Sequence, residues 1–427
     1  MLKDLQELLN ANVISQSTAD QITEYYKNKK NKEPNRLIAV FGIVGAILVG
    51  MGIILIVAHN WDNFNRFTKS LLAFLPLIAG QILAAYAMIK KKDQKVWIEG
   101  TSAFLFFSVG ACIAMISQIY HISGELPDFI LTWMLLALPQ IYIMNSSVAS
   151  LFYLTGINYY VMEVGYSRFY SLESLIFWVL LIAMIPHYIM LLKKKAESNY
   201  AVLHSRLIPI SIMIGLGSSA EKNEELMFIA FMSLFSAFLL LGSLPVFHRT
   251  SKNTQSFSFF GLLGIVVTLI PLTFDWIWPN LFRSLEPLSV LIRTSELHAV
   301  VFTTLAALFL LVRHDHLPQT KHIAIFKFSF IVFIGIFFLA AISPGFSQLL
   351  SNLMLLFIGI RIIQNGIAED HLGILNFGLL VLATAVACKF FDSQLSFVIR
   401  GLVFVALGLG FFYTNYLIIK KRKQHEQ

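Results

Sequence analysis

The side chains that could do chemistry in this sequence gather where long apolar runs end. One such end reads Ala58-His59-Asn60-Trp61-Asp62. An imidazole beside a carboxylate is the minimum equipment for handling a proton or ligating a metal. Trp61 suits the aromatic belt of a membrane interface, and Asp62 or Asn63 is placed to cap a following helix that leads to Lys69. A second end runs from Ser117 and Gln118 through Tyr120, His121, Ser123 and Glu125 to Asp128. Gln118 and His121 are three apart and share one face where the helix persists. Glu163, near the end of a later run, can join them. His59, Asn60, Asp62, Gln118, Tyr120, His121, Glu125 and Glu163 are therefore read as a polar, water-accessible vestibule on the outer side of a membrane. Nothing has the fixed spacing of HExxH, so no metal is assigned. No P-loop, dinucleotide fingerprint, GxSxG elbow or HxxxD motif occurs, so no cofactor is expected and catalytic residues stay unassigned. His314-Asp315-His316 reads as a solvated turn.

Within the runs, Gln81, Asn158, Asn376 and Asn415 are expected to be buried and to hydrogen-bond across helices. Arg400 sits about five residues into the last run, where a guanidinium must snorkel or find a carboxylate. Asp392 is its candidate partner. Pro76, Pro139, Pro186, Pro209 and Pro245 mark kinks. Gly42, Gly45, Gly50 and Gly52 in the first run allow close helix packing.

What positions these residues is a bilayer. Of 427 residues, 57 % are apolar and only 13 % charged, Phe alone numbers 38, and the mean hydropathy is +0.72. A soluble globular enzyme, a disordered tail, a collagen-like fibre and a secreted disulfide scaffold are all excluded. The apolar residues come in runs of about 20, as an all-α polytopic bundle requires. Spans are read near 38–58, 70–89, 101–119, 128–144, 147–164, 172–192, 206–220, 225–247, 257–277, 297–312, 325–342, 346–363, 371–388 and 396–419, about fourteen in all. With both termini in the cytoplasm, Lys and Arg divide 24 inside to 8 outside, the asymmetry the positive-inside rule expects. The net charge of +8 thus has its source in loops, and no nucleic-acid partner is expected. Lys90-Lys91-Lys92, Lys193-Lys194-Lys195 and Lys420-Lys421-Arg422-Lys423 read as orientation anchors, with anionic-lipid binding as the alternative. Cys112 and Cys388 make no CxxC or disulfide framework.

Residues 1–36 carry early acidic residues and no apolar signal-peptide core. They read as a cytoplasmic amphipathic hairpin. Its first helix holds Leu2, Leu5, Leu8 and Leu9; its second starts near Ser17, with Asp20 as capping partner and Ile22, Tyr25 and Tyr26 on the apolar face. Such a hairpin could meet a membrane or envelope protein partner. The chain is thereby divided into the hairpin 1–36, a membrane region 37–165 and a further membrane region 166–427.

The amphipathic N-terminus, the glycine-rich span from Ile43 to Ala58 closing in His59-Asn60-Trp61-Asp62, and Lys69 ahead of the next span resemble the bacterial predicted membrane proteins of domain of unknown function 2157. Ile116-Ser117-Gln118-Ile119-Tyr120-His121 is similar to the end of that family's third span. The resemblance covers about residues 1–165 and implies a bacterial inner-membrane protein, with no activity attached.

Three functions compete on these grounds. One is an ion-gradient-driven secondary transporter or lipid-linked-glycan flippase, with the outer polar residues and Arg400 lining its path. A second is a non-transporting envelope-assembly or sensory subunit that works through a partner. The third is a membrane-embedded transferase or hydrolase, so enzymatic activity stays open.

Overall fold

A computed structural model of the chain describes residues 9, 11, 13–32, 61–166, 172–244, 256–281, 287–314, 326–392, 398, 401–402, 405, 408–410 and 412. The spans read at 38–58 and, but for a few residues, 396–419 lie outside the described residues, as do His59, Asn60, Arg400, Asn415, Pro245 and the first helix of the N-terminal hairpin. No strand occurs among the described residues, and the architecture is all-α. The chain divides into two compact units, Met1–Phe74 and Leu75–Gln427.

In the first unit, helix α1 spans Gln16–Lys32. Its cap is Ser15, whose hydroxyl accepts the Thr18 N–H at 3.3 Å, rather than the expected Ser17. Asp20 accepts instead from the Gln16 side-chain amide at 3.3 Å. Trp61–Asn63 closes a 3-10 turn of its own, with Lys69 Nζ 5.6 Å from the Trp61 ring. Because that turn uses up Asp62 and Asn63, the cap of α2 (Arg66–Lys90) passes to Asn65, whose Oδ1 accepts the Thr68 N–H at 2.8 Å.

The remaining helices follow the apolar runs closely. They are α3 (Lys95–Tyr120), α4 (Leu126–Ile143), α5 (Ser147–Val161), α6 (Leu172–Lys195), α7 (Asn199–Gly217), α8 (Met227–Gly242), α9 (Ser256–Leu269), α10 (Ser295–His314), α11 (Ser329–Leu339), α12 (Pro344–Ala368) and α13 (Leu372–Asp392). Among the described residues, ten helical segments are long and apolar enough to cross a membrane. Helix α5 continues into a π-turn at Met162–Tyr166, and α11 is a shorter apolar helix. Each of the twelve other sequence-read spans coincides with one helix, and the start of α7 moves upstream from the expected 206 to Asn199.

Two helices sit at the centres of packing. Helix α5 contacts α3, α4, α6 and α7 and buries Tyr153, Leu154, Ile157, Tyr160 and Val161. Helix α8 packs against α9, α10 and α11, and 78 % of its apolar window is buried. Gly261 on α9 permits that approach: a Cβ there would lie 2.7 Å from the Phe235 carbonyl oxygen. Helices α12 and α13 pair as a hairpin in which a Cβ at Gly378 would meet the Ile363 nitrogen at 2.8 Å. Outward, α10 presents Phe302, Leu305, Phe309 and Val312 as exposed side chains. A continuous apolar flank of this kind suits lipid and not water.

Helix ends are closed by side chains. Glu125 and Asp128 form a reciprocal capping box on α4, and His121 ends α3 in the left-handed region at φ 52°. Glu296, fully buried at the start of α10, accepts the N–H groups of Glu221, Lys222 and Asn223 at 2.8, 2.7 and 2.9 Å. Ser295 donates to the Ser219 carbonyl at 2.8 Å, so one helix terminus ties down the whole approach to α8.

Candidate functional site

The second unit brings together polar groups from α3, α5, α6 and α7. The first is Glu99, one turn into α3. Its carboxylate accepts the N–H groups of Ser147 and Val148 at 3.1 and 2.9 Å and the Ser146 hydroxyl. Ser146 is also the N-cap of α5, accepting the Ala149 N–H at 3.2 Å. The free N–H groups of α5 and the positive end of its dipole are thus met by a carboxylate from a neighbouring helix.

One turn along α5, Ser150 faces His204 of α7. The Ser150 Oγ lies 2.7 Å from His204 Nε2 and 2.9 Å from the Ser147 carbonyl oxygen. His204 Nδ1 lies 2.7 Å from the Tyr200 carbonyl oxygen. A carbonyl only accepts, so the bonding network assigns a proton to Nδ1. With His204 neutral, Nε2 is an acceptor and takes the single Ser150 hydroxyl proton, leaving the Ser147 carbonyl without it. With His204 doubly protonated, Nε2–H donates to Ser150 and the hydroxyl turns to Ser147. One proton on the imidazole therefore decides which acceptor the Ser150 hydroxyl proton takes.

His187 of α6 completes the group. Its ring centre is 6.1 Å from that of His204; it is 1 % exposed, and among the described residues neither ring nitrogen has a hydrogen-bond partner. Pro186, immediately before it, removes a backbone donor from α6, and the Tyr142 hydroxyl donates to the Ala183 carbonyl close by. Tyr188 stacks on His204 at 6.3 Å and shares a 2.8 Å hydrogen bond with Ser205. Further along the α5–α7 seam, Asn158 donates to Ser211 at 2.9 Å while its Oδ1 has no partner among the described residues. Gln140 on α4 donates to Ser102 at 2.9 Å, and its Oε1 likewise has none.

This seam opens at one end into a cavity of about 340 Å³. His187, Glu99 and Ser147 line its interior, Met88, Ile98, Met144 and Leu191 form its apolar walls, and Lys92, Lys95 and Lys194 stand at its exposed rim.

The residues singled out from sequence are distributed otherwise. Gln118, Tyr120 and His121 are exposed at the end of α3. Glu125 is occupied in the α4 capping box, and Glu163 is half-buried in the π-turn beside Tyr159. Asp62 is exposed in the first unit. Asn158 is half-buried in the α5–α7 seam, whereas Gln81 and Asn376 are exposed. The inward face of α2 is taken by Ala73, Gly80, Ala84 and Ala87, which turns Gln81 outward. Sequence reasoning missed Glu99, Ser150, His187 and His204. Glu99 and His204 fell just outside the apolar runs, and the one available signal was a His placed directly after a Pro within a run, at Pro186-His187. Among the described residues, no three His, Cys, Asp or Glu side chains come together as a metal-binding group.

No curated protein and no solved structure matches the chain. A family model does match, and its matched stretch takes in α2, α3 and α4, Glu99, and the first turn of α5 up to Ser150, leaving His187 and His204 beyond it. Over residues 6–150, this chain matches the family described as Predicted membrane protein (DUF2157).

Proposed function

We propose that this multi-pass membrane protein is a secondary transporter or lipid-linked-glycan flippase driven by protons, acting in the bacterial inner membrane. The observation that carries the reading is the Ser147–Ser150–His204 switch with the unpartnered His187 beside it. Buried ionisable groups in a membrane bundle are costly and mark proton or substrate paths. Here the two imidazoles lie between a cavity and a polar seam that continues through Tyr188, Ser205, Asn158 and Ser211. A gain or loss of one proton at His204 changes the acceptor of the Ser150 hydroxyl proton at the first turn of α5, the helix around which α3, α4, α6 and α7 pack. That couples a protonation event to the centre of the bundle. No nucleotide-binding motif is found in the sequence, which favours an ion gradient as the driving force.

The Lys and Arg distribution supports about fourteen spans with both termini inside. In that orientation the lysine-rimmed cavity faces the cytoplasm. By the same charge reading, His121, Glu125 and Glu163 fall at the outer ends of their helices. Residues 1–36 stand in the cytoplasm, where α1 can meet a partner protein.

The test is reconstitution of the full chain in vesicles of phosphatidylcholine and phosphatidylglycerol carrying a trace of NBD-labelled phosphatidylglycerol. Dithionite quenching reads the leaflet distribution with and without an imposed pH gradient. Gradient-dependent redistribution that His204→Gln, His187→Gln or a protonophore abolishes is the expected result. Absence of redistribution with the wild-type chain, or equal rates in wild type and both variants, sinks the reading.

A further inference from the structure

The lysine-rimmed cavity has a chemistry of its own, and we infer that it binds the phosphate head of an anionic membrane lipid. Three ammonium groups from two distant stretches of chain, Lys92 and Lys95 with Lys194, surround it. One acid, Glu99, shares the lining, but its two carboxylate oxygens are already committed to Ser146, Ser147 and Val148. The site therefore holds a surplus of positive charge and no uncommitted carboxylate. His187 contributes to the lining, is 1 % exposed, and has no partner for either ring nitrogen among the described residues. A neutral imidazole carries one N–H, and at His187 that N–H is left to donate to a ligand oxygen. Lysines at the rim and a donor within suit a phosphate.

A second feature makes the ligand a lipid and not a free anion. The cavity shares Met190 and Lys194 with an adjoining, more open groove of about 380 Å³ bounded by Pro186, Ile189 and Lys193. Ile189 is 41 % exposed on the flank of α6, the side an apolar chain would approach from. A cationic cup that runs into an apolar groove matches a charged head joined to an acyl chain. A choline head would bring a further cation among the lysines, so an acidic phospholipid is favoured over a zwitterionic one. Occupancy of the cavity does not require that the protein move its ligand.

Native mass spectrometry of the detergent-solubilised full chain tests it, with dioleoyl phosphatidic acid, dioleoyl phosphatidylcholine and inorganic phosphate as probes. One phosphatidic acid per chain should be retained in preference to phosphatidylcholine. Each lysine near the lipid phosphate contributes about fivefold, so Lys92→Gln/Lys95→Gln/Lys194→Gln should weaken binding on the order of 100-fold. The control Lys90→Gln/Lys91→Gln removes charge from the same lysine run outside the cavity and should change binding less than about threefold. Met190→Trp keeps every charge and fills the junction of cup and groove, so it should also lower binding. It carries the test if the triple variant aggregates on size exclusion. Equal retention of the two lipids, equal loss in the triple variant and the control, or full binding by Met190→Trp overturns the inference. Displacement of phosphatidic acid by inorganic phosphate at matching concentration would make this a free-anion site and equally refute the lipid assignment.

Discussion

Glu99→Gln is the perturbation with the most specific consequences, because it should move two observables in opposite directions. The Glu99 carboxylate accepts two backbone N–H groups of α5 and the Ser146 hydroxyl. Hydrogen bonds to a charged acceptor contribute roughly 1.5–3 kcal/mol each, and neutral ones about 0.5–1.5. Glutamine keeps one acceptor oxygen and turns an N–H₂ toward groups that are themselves donors, so at least one bond is lost and the others weaken. Glu99 is half-buried, and solvent screening reduces the effect, leaving a net cost of about 2 kcal/mol. The apparent melting temperature of the detergent-solubilised chain, followed by fluorescence-detected size exclusion, should fall by about 2–5 °C. The same change removes the one acidic group from the lysine-rimmed cavity. One unit of charge near a lipid phosphate is worth about 1 kcal/mol, so phosphatidic acid should bind about fivefold tighter. A lower melting temperature with tighter lipid binding is the expected pair. An unchanged melting temperature would refute the capping role, and weaker lipid binding would refute the charge argument for the cavity.

Glu296→Ala should be costlier than any change at Glu99, since its carboxylate is fully buried and three N–H groups would be stranded. A loss of about 4 kcal/mol is expected from unsatisfied buried donors, against less than about 0.5 kcal/mol for the exposed Glu224→Ala nearby; thermal unfolding of the two side by side checks this, and similar values would refute the staple. Gly261→Ala places a methyl 2.7 Å from the Phe235 carbonyl oxygen, and forcing α8 and α9 apart should cost about 1–3 kcal/mol. Gly335→Ala, where nothing lies within 4 Å of the added carbon, should be neutral or slightly stabilising by about 1 kcal/mol through helix propensity in the same assay.

Reading the membrane class, the helical content and most span positions required no tertiary information. A run of about 20 apolar residues has to satisfy its backbone internally once it enters lipid, and only a helix does that within one segment. That is why twelve sequence-read spans map onto helices one for one. The caps were misread: Ser15 and Asn65 stand where Ser17 and Asp62 or Asn63 were expected, and Glu125, expected in a vestibule, closes a helix end. Asp128 pairs with Glu125 because a capping box is a local contact three residues apart, whereas the choice of Asn65 over Asp62 depended on a 3-10 turn that composition does not signal. The helical phase of lone polar residues was not legible: Gln81 and Asn158 look alike in sequence, yet one is exposed and the other bonds Ser211.

Membrane residence and the positions of the apolar helices follow from hydropathy, which is a sum over local composition. What the polar residues meet follows from packing instead. Glu99 reaches the start of α5 across 48 residues, Ser150 meets His204 across 54, and His187 is left unpartnered in a cavity whose rim lysines lie about 100 residues apart in the chain. Contacts of that separation follow from which helix faces meet, and in an apolar medium close packing of small and large side chains sets those faces. A hydropathy profile reads the length of each helix and carries no information about its neighbours.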